Sequence, residues 1–163
     1  MSTPPIPADV AEFLEGGQSM LLATRDAQLV PAIIRPLGAE VDPDRTHVTF
    51  FIPAVRAAQT LENLRVAPRA AVTFSRTYDH RTYQLKGDCV GVAEATDAQR
   101  AVIEAYRAGL SVQFEQVGIP RRVTARVAYW PAWAIRLRVT DLFDQTPGPG
   151  AGEPHRGGAG GSS

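Results

Sequence analysis

Arg56, Gln59 and Thr60 fall in the loop and first turn of a helix that follows the apolar stretch "THVTFFIP". A helix start presents unpaired N–H groups and the positive end of the peptide dipole, so a guanidinium and polar donors gathered there suit an anion. Arg35, on the strand before that stretch, supplies a second guanidinium. The same residue types also suit the solvated start of a crossover helix, and the sequence leaves both readings open. Asp79, His80 and Tyr83 in "TYDHRTYQ" form another titratable group, since an imidazole can give and take a proton near neutral pH. A polar loop between two strands holds such residues without catalytic duty, and no catalytic residue is assigned. Gln84 and Lys86, two apart on a strand, share one face. Trp130 and Trp133 are large anchors suited to the core, to an interface or to covering a flat ring. Cys89 reads as a small apolar residue of its strand. The three His lie far apart and no Cys/His cluster exists, so no metal site is expected.

The elements that must position these residues follow from periodicity and punctuation. "PADVAEFLEGG" predicts a short helix with Val10, Phe13 and Leu14 on its apolar face. "SMLLATR", "LVPAIIRPLGAEVD" and "THVTFFI" predict three strands on short turns, hence antiparallel pairing, with Pro31 and Pro36 demanding an irregular ladder. A helix over 57–66 follows, with Leu61 and Leu64 facing inward, and Pro68 beyond its end. "RAAVTFS" and "TYQLKGDCVGVAEA" are strands, the second bent at Gly87 and Gly91. Thr96 and Gln99 read as a capping box. The helix they open is expected to gather Ala101, Val102, Ala105 and Tyr106 on one face and to close at Gly109. "LSVQFEQVGIPRRV" is ambiguous, and "AWAIRLRVTDLFD" alternates as the last strand. The reading is mainly β: a six-stranded antiparallel split β-barrel with peripheral helices.

The chain of 163 residues suits one domain, with residues 1–18 leading into a barrel over 19–146. Residues 147–163 hold seven of the 14 Gly and three of the 13 Pro, which predicts a flexible tail. The net charge of zero speaks against nucleic acid and anionic membranes as partners. No apolar run is long enough to span a bilayer, and the N-terminus lacks the pattern of a secretory signal. A single Cys fits a reducing compartment, so a cytoplasmic location is expected.

Three motifs carry a resemblance: "SMLLATRDAQLVPAIIRPL", "VTFFIPAVRAAQTLENLRVAPRAAVTF" and "YQLKGDCVGVAEATD". Together they resemble the pyridoxamine 5′-phosphate oxidase-like flavin-binding split barrels, over about residues 13–143. In that family the second motif is a strand, a phosphate-binding loop and a helix ending "NLR-x-NPR". Asn63, Leu64, Arg65, Pro68 and Arg69 match it, while Ala67 replaces the usual Asn. The resemblance implies flavin mononucleotide (FMN) as cofactor, with a deazaflavin or haem as alternatives. It implies an oxidoreductase passing hydride between flavin and a small-molecule substrate, or alternatively a cofactor-free dimeric regulatory protein. It further implies a homodimer. Arg35 is expected at the flavin phosphate, Ile52 and Pro53 along the ring, Gln84 and Lys86 toward the partner subunit's flavin, and Trp130 over the ring. His80 would be a candidate ligand for a haem iron. Where many relatives read Ser-Arg-Lys this chain has Ala58, Gln59 and Thr60, so Arg56 would stand in for the missing cations. The third motif fits the family's glycine after "LK". No counterpart of the C-terminal substrate-binding segment of authentic pyridoxamine 5′-phosphate oxidase is found.

Overall fold

The computed structural model describes residues 5–155. Eight strands form one antiparallel sheet: β1 (Ser19–Arg25), β2 (Pro31–Ile34), β3 (Ala39–Val41), β4 (His47–Pro53), β5 (Arg69–Ser75), β6 (Thr82–Glu94), β7 (Ala132–Asp144) and β8 (Glu153–Pro154). Four α-helices accompany them: α1 (Ala8–Glu15), α2 (Ala58–Val66), α3 (Asp97–Gln116) and α4 (Arg121–Ala125). The strand order is β2-β1-β5-β6-β7-β4-β3, with β8 added to β7. The architecture is the expected mainly-β split barrel, but the strand count rises from six to eight. The stretch read as one second strand is two, β2 and β3, because Pro36 lacks an N–H and Gly38 sits at φ +141°. These two are the edges of the sheet. The chain steps from one edge to the other over residues 35–38, and among the described residues no ladder joins β2 to β3. Leu37 N–H donates to the Phe51 carbonyl at 2.7 Å, which fixes the landing on β4.

β4 shows why its sequence lacks alternation: six of its seven residues, all but His47, are buried. Val48, Phe50 and Ile52 join the main core with Leu14, Leu22, Val72, Phe74 and Leu85. Phe51 points outward into a second cluster with Leu37, Ile103 and Ala134, so α3 covers the other face. Each such buried large side chain contributes about 1.5–3 kcal/mol.

The bends expected in β6 occur, with register shifts at Lys86/Gly87 and Cys89/Gly91. At Gly87 a Cβ would stand 2.5 Å from the Arg138 carbonyl oxygen, so only glycine lets β7 pass. The Thr96–Gln99 capping box is present. The helix it opens runs to Gln116, beyond the expected stop at Gly109, and its buried residues are Ile103, Tyr106 and Gln113. Ala101 and Ala105 are exposed, which moves the inner face away from the expected one. Gly109 lies against Gly17, its would-be Cβ 3.6 Å from Gly17 Cα, so it marks a close approach and not an end. Within the segment expected as tail, Glu153 pairs with Asp144 and the His155 ring meets Tyr83 edge-on at 5.4 Å. Residues 156–163 lie outside the described residues.

Candidate functional site

A cleft of about 650 Å³ opens where the sheet is split. One wall is β2 with the crossing segment, including Ile33, Arg35 and Leu37. A second is the entry to α2, with Pro53, Arg56, Gln59 and Thr60. The third is α3 and the residues around α4, with Tyr106, Arg107, Leu110, Phe114 and Val127. The volume lies in the range of small-molecule and cofactor sites.

The local sequence explains the polar end. Pro53 ends β4, a 3₁₀ turn spans Ala54–Arg56, and α2 begins at Ala58, with Ala57 at its N-cap giving no side-chain cap. Its first amides are left for an outside acceptor. Thr60 is 3% exposed and lines the cleft. Gln59 is oriented by donating to Asn63 Oδ1 at 2.8 Å, and buried Asn63 donates to Thr24 Oγ1 at 3.0 Å, which ties α2 to β1. Arg35 donates to Ser19 Oγ at 3.1 Å. Arg107 stacks 3.9 Å over the Tyr129 ring and donates to the carbonyls of Thr124, Ala125 and Val127. Three guanidiniums thus line the cleft, and no carboxylate does among the described residues. Tyr106 is held by its hydroxyl donating to the Gln18 carbonyl at 2.8 Å, and burial pushes its pKa up, so it stays neutral. The donor set fits an anionic group, and Leu21, Ile33, Leu110, Phe114 and Val127 fit a flat apolar body.

Of the expected residues, the structure brings Arg35, Pro53, Arg56, Gln59 and Thr60 into this one cleft. Ile52 is fully buried in the core behind it. Gln84 and Lys86 lie off the cleft, on the outer sheet face. The pairs Leu21↔Thr73 and Thr73↔Gln84 put Gln84 two strands, about 10 Å, from the cleft wall. Lys86 stands 4.8 Å over the Phe143 ring. Trp130 packs beside the Phe51–Ile103 cluster with Arg100 5.3 Å from its ring, away from the cleft lining. The α3 wall was missed because Gly109 read as the helix end; the i, i+4, i+8 spacing of Tyr106, Leu110 and Phe114 was the available signal.

Elsewhere, Asp79 is bound by Arg76, whose side-chain hydrogen bonds hold its carboxyl well below the usual range, at about 2. His80 sits at φ +60° in the same turn, outside the cleft lining. Asp42, Asp44 and His47 bring ligand-type atoms within 4.8 Å of one another. Asp42 already pairs with Arg136, and Asp44 accepts from the Thr46 amide. Burial raises the Cys89 thiol pKa, so it is protonated. Among the described residues no helix is long and apolar enough to cross a membrane.

Residues 6–130 match the family model described as pyridoxamine 5′-phosphate oxidase. No curated protein matches the sequence significantly. Among solved structures, HupZ of Group A Streptococcus is 17% identical, with a TM-score of 0.55 over 90% of this chain and 99% of that one. A pyridoxamine 5′-phosphate oxidase-related, FMN binding protein from Nostoc punctiforme is 16% identical, with a TM-score of 0.52 over 91% and 88%. A structure named F420 reductase is 16% identical, with a TM-score of 0.52 over 84% and 98%. At these identities the structures speak for the fold, while the family model spans most of the chain. The chain belongs to the pyridoxamine 5′-phosphate oxidase-like split-barrel family.

Proposed function

We propose that this cleft binds FMN and that the protein is a homodimeric flavin-dependent oxidoreductase acting on a small molecule. The observation that carries the reading is the lining itself: Arg35, Arg56 and Arg107 face a cleft with no acidic residue among the described ones. Arg35, oriented by Ser19, and Arg56 would grip a terminal phosphate, with the Thr60 hydroxyl and the uncapped start of α2 completing its donors. A bound flavin would supply the hydride chemistry. The chain's own task is to bind, to orient and to keep water from the ring, which Leu110, Phe114 and Val127 do from the α3 side. From the phosphate end the same sheet face leads past Thr73 to Gln84 and Lys86. A second copy covering that face would place Lys86 where it stabilises negative charge on a ring held by its neighbour.

A visible spectrum of the purified protein, followed by FMN titration, tests the reading. Flavin absorbance, or saturable quenching of added FMN, is expected. A Soret band would move the site to haem, and mass spectrometry of the released cofactor separates FMN from a deazaflavin. A colourless protein that ignores FMN overturns the proposal.

A further inference from the structure

We infer that Gln113 is a positioning residue of the cleft, a role that rests on the cleft being the ligand site but not on the ligand being a flavin. Its carboxamide latches the second half of α3 to the barrel and so sets the third wall against whatever the cleft holds. α3 is secured in two different ways along its length. Its first half has the Thr96–Gln99 capping box and buries Ile103 and Tyr106. Beyond Gly109 the buried residue is polar, Gln113. Leu110 and Phe114 are half-buried, and Val112 is exposed. The close pass of Gly109 over Gly17 brings the next helical turn to the corner between α1 and β1. There Gln113 Nε2 donates to Gln18 Oε1 at 3.0 Å and to the Gly17 carbonyl at 3.3 Å. Gln113 Oε1 accepts from the Thr77 amide at 3.3 Å, in the loop between β5 and β6. A primary amide plays donor and acceptor at once, and a hydrocarbon of its size would strip partners from both sides of the joint.

Gln113 does not line the cleft. It sits beside Phe114, about 100° round the helix, so one stiff turn carries both side chains. The rest of the wall rides on the same half of α3. The Ser111 and Thr124 hydroxyls meet at 3.3 Å, and Arg107 donates to the carbonyls of Thr124 and Ala125 at the end of α4. Leu110, Phe114, Thr124 and Val127 therefore form one piece, seated on the barrel by the partial packing of Leu110 on the core and by the Gln113 carboxamide. A seat made mostly of hydrogen bonds can open without exposing a large apolar surface, which lets the wall lift for entry and close behind a ligand.

Hydrogen exchange of the full chain, read by mass spectrometry, tests the latch, with FMN as the probe ligand. In the native protein residues 110–128 should open together and faster than residues 100–108. Gln113→Ala should speed exchange over 110–128 about tenfold and leave β1, β5 and β7 unchanged. FMN release, followed by stopped-flow fluorescence, should quicken by about the same factor. Phe114→Ala removes a wall contact and spares the latch, so it should speed release without altering exchange. Adding Gln113→Ala to Phe114→Ala should then speed release by less than Gln113→Ala does alone, because part of its effect runs through Phe114. Exchange over 110–128 that Gln113→Ala leaves unaltered, exchange that rises equally in every strand, or fully additive release rates would each overturn the latch. Should Gln113→Ala not fold, the native protein decides: a shared rate over 110–128 supports the latch, and separate rates for the end of α3 and for α4 sink it. A protein that ignores FMN removes the flavin reading, and the exchange measurements still decide the latch.

Discussion

Thr60 brings the candidate site down to a single hydroxyl. The residue is buried and lines the cleft. Thr60→Val keeps its shape and removes the donor, so FMN affinity should fall several-fold, for a neutral bond of about 1 kcal/mol. Arg35→Ala should cost more, about tenfold to a hundredfold, because charged hydrogen bonds contribute about 1.5–3 kcal/mol. Fluorescence titration reads both, and unchanged affinity in both would move the phosphate elsewhere. Asp79 gives a pH signature. Its carboxyl is depressed to about 2 by Arg76, so its stabilising contribution is present above the ordinary value near 3.8 and is lost as pH falls toward 2. Asp79→Asn should flatten acid unfolding in that window, and an unaltered acid limb would show the pair to be idle. The arginines of the anion seat were legible in the sequence because a helix start and a strand Arg are local features. That Arg107 and Phe114 stand across the cleft from them was not, since it depends on how α3 packs.

Among the elements, β6 and α3 show glycine once as a guide and once as a false stop. Gly87 and Gly91 read as bends, and they are bends, because a strand interior has few other uses for glycine. Gly109 read as a helix end and lies inside α3, because a packing partner, Gly17, was invisible in one dimension. The geometry separates three substitutions. Gly87→Ala meets a backbone oxygen at 2.5 Å and should destabilise the fold by about 1–3 kcal/mol. Gly17→Ala is strained at φ +77° and meets the Gly109 backbone at 3.1 Å, so it too should destabilise. Gly109→Ala meets ordinary contacts and gains up to about 1 kcal/mol of helix propensity. Thermal melts order the three, and a destabilised Gly109→Ala would show that α3 and Gly17 press closer than the structure has them. The missed stretch beyond Gly109 is also the missed wall of the cleft, so one misplaced boundary hid Leu110 and Phe114 together.

For the whole molecule, the mainly-β class was legible because turn residues separate runs of apolar and β-branched residues. The split was harder to see, because it falls inside what reads as one strand. Light scattering at micromolar concentration should report a dimer; a monomer there would remove the shared-site reading of Lys86. The split itself has a kinetic consequence. Its two edges are neighbours along the chain, joined by residues 35–38, yet each is laddered on one side only. Backbone amides of β2 and β3 should therefore exchange with solvent faster than those of β1, β5 and β7, which are held from both sides. A ligand gripped by Arg35 and walled by Ile33 and Leu37 would act as the missing clasp between the edges. Its arrival should slow exchange along β2 and β3 while leaving the central strands unchanged, so deuterium uptake at a hem of a few residues becomes a gauge of occupancy for any compound, coloured or not.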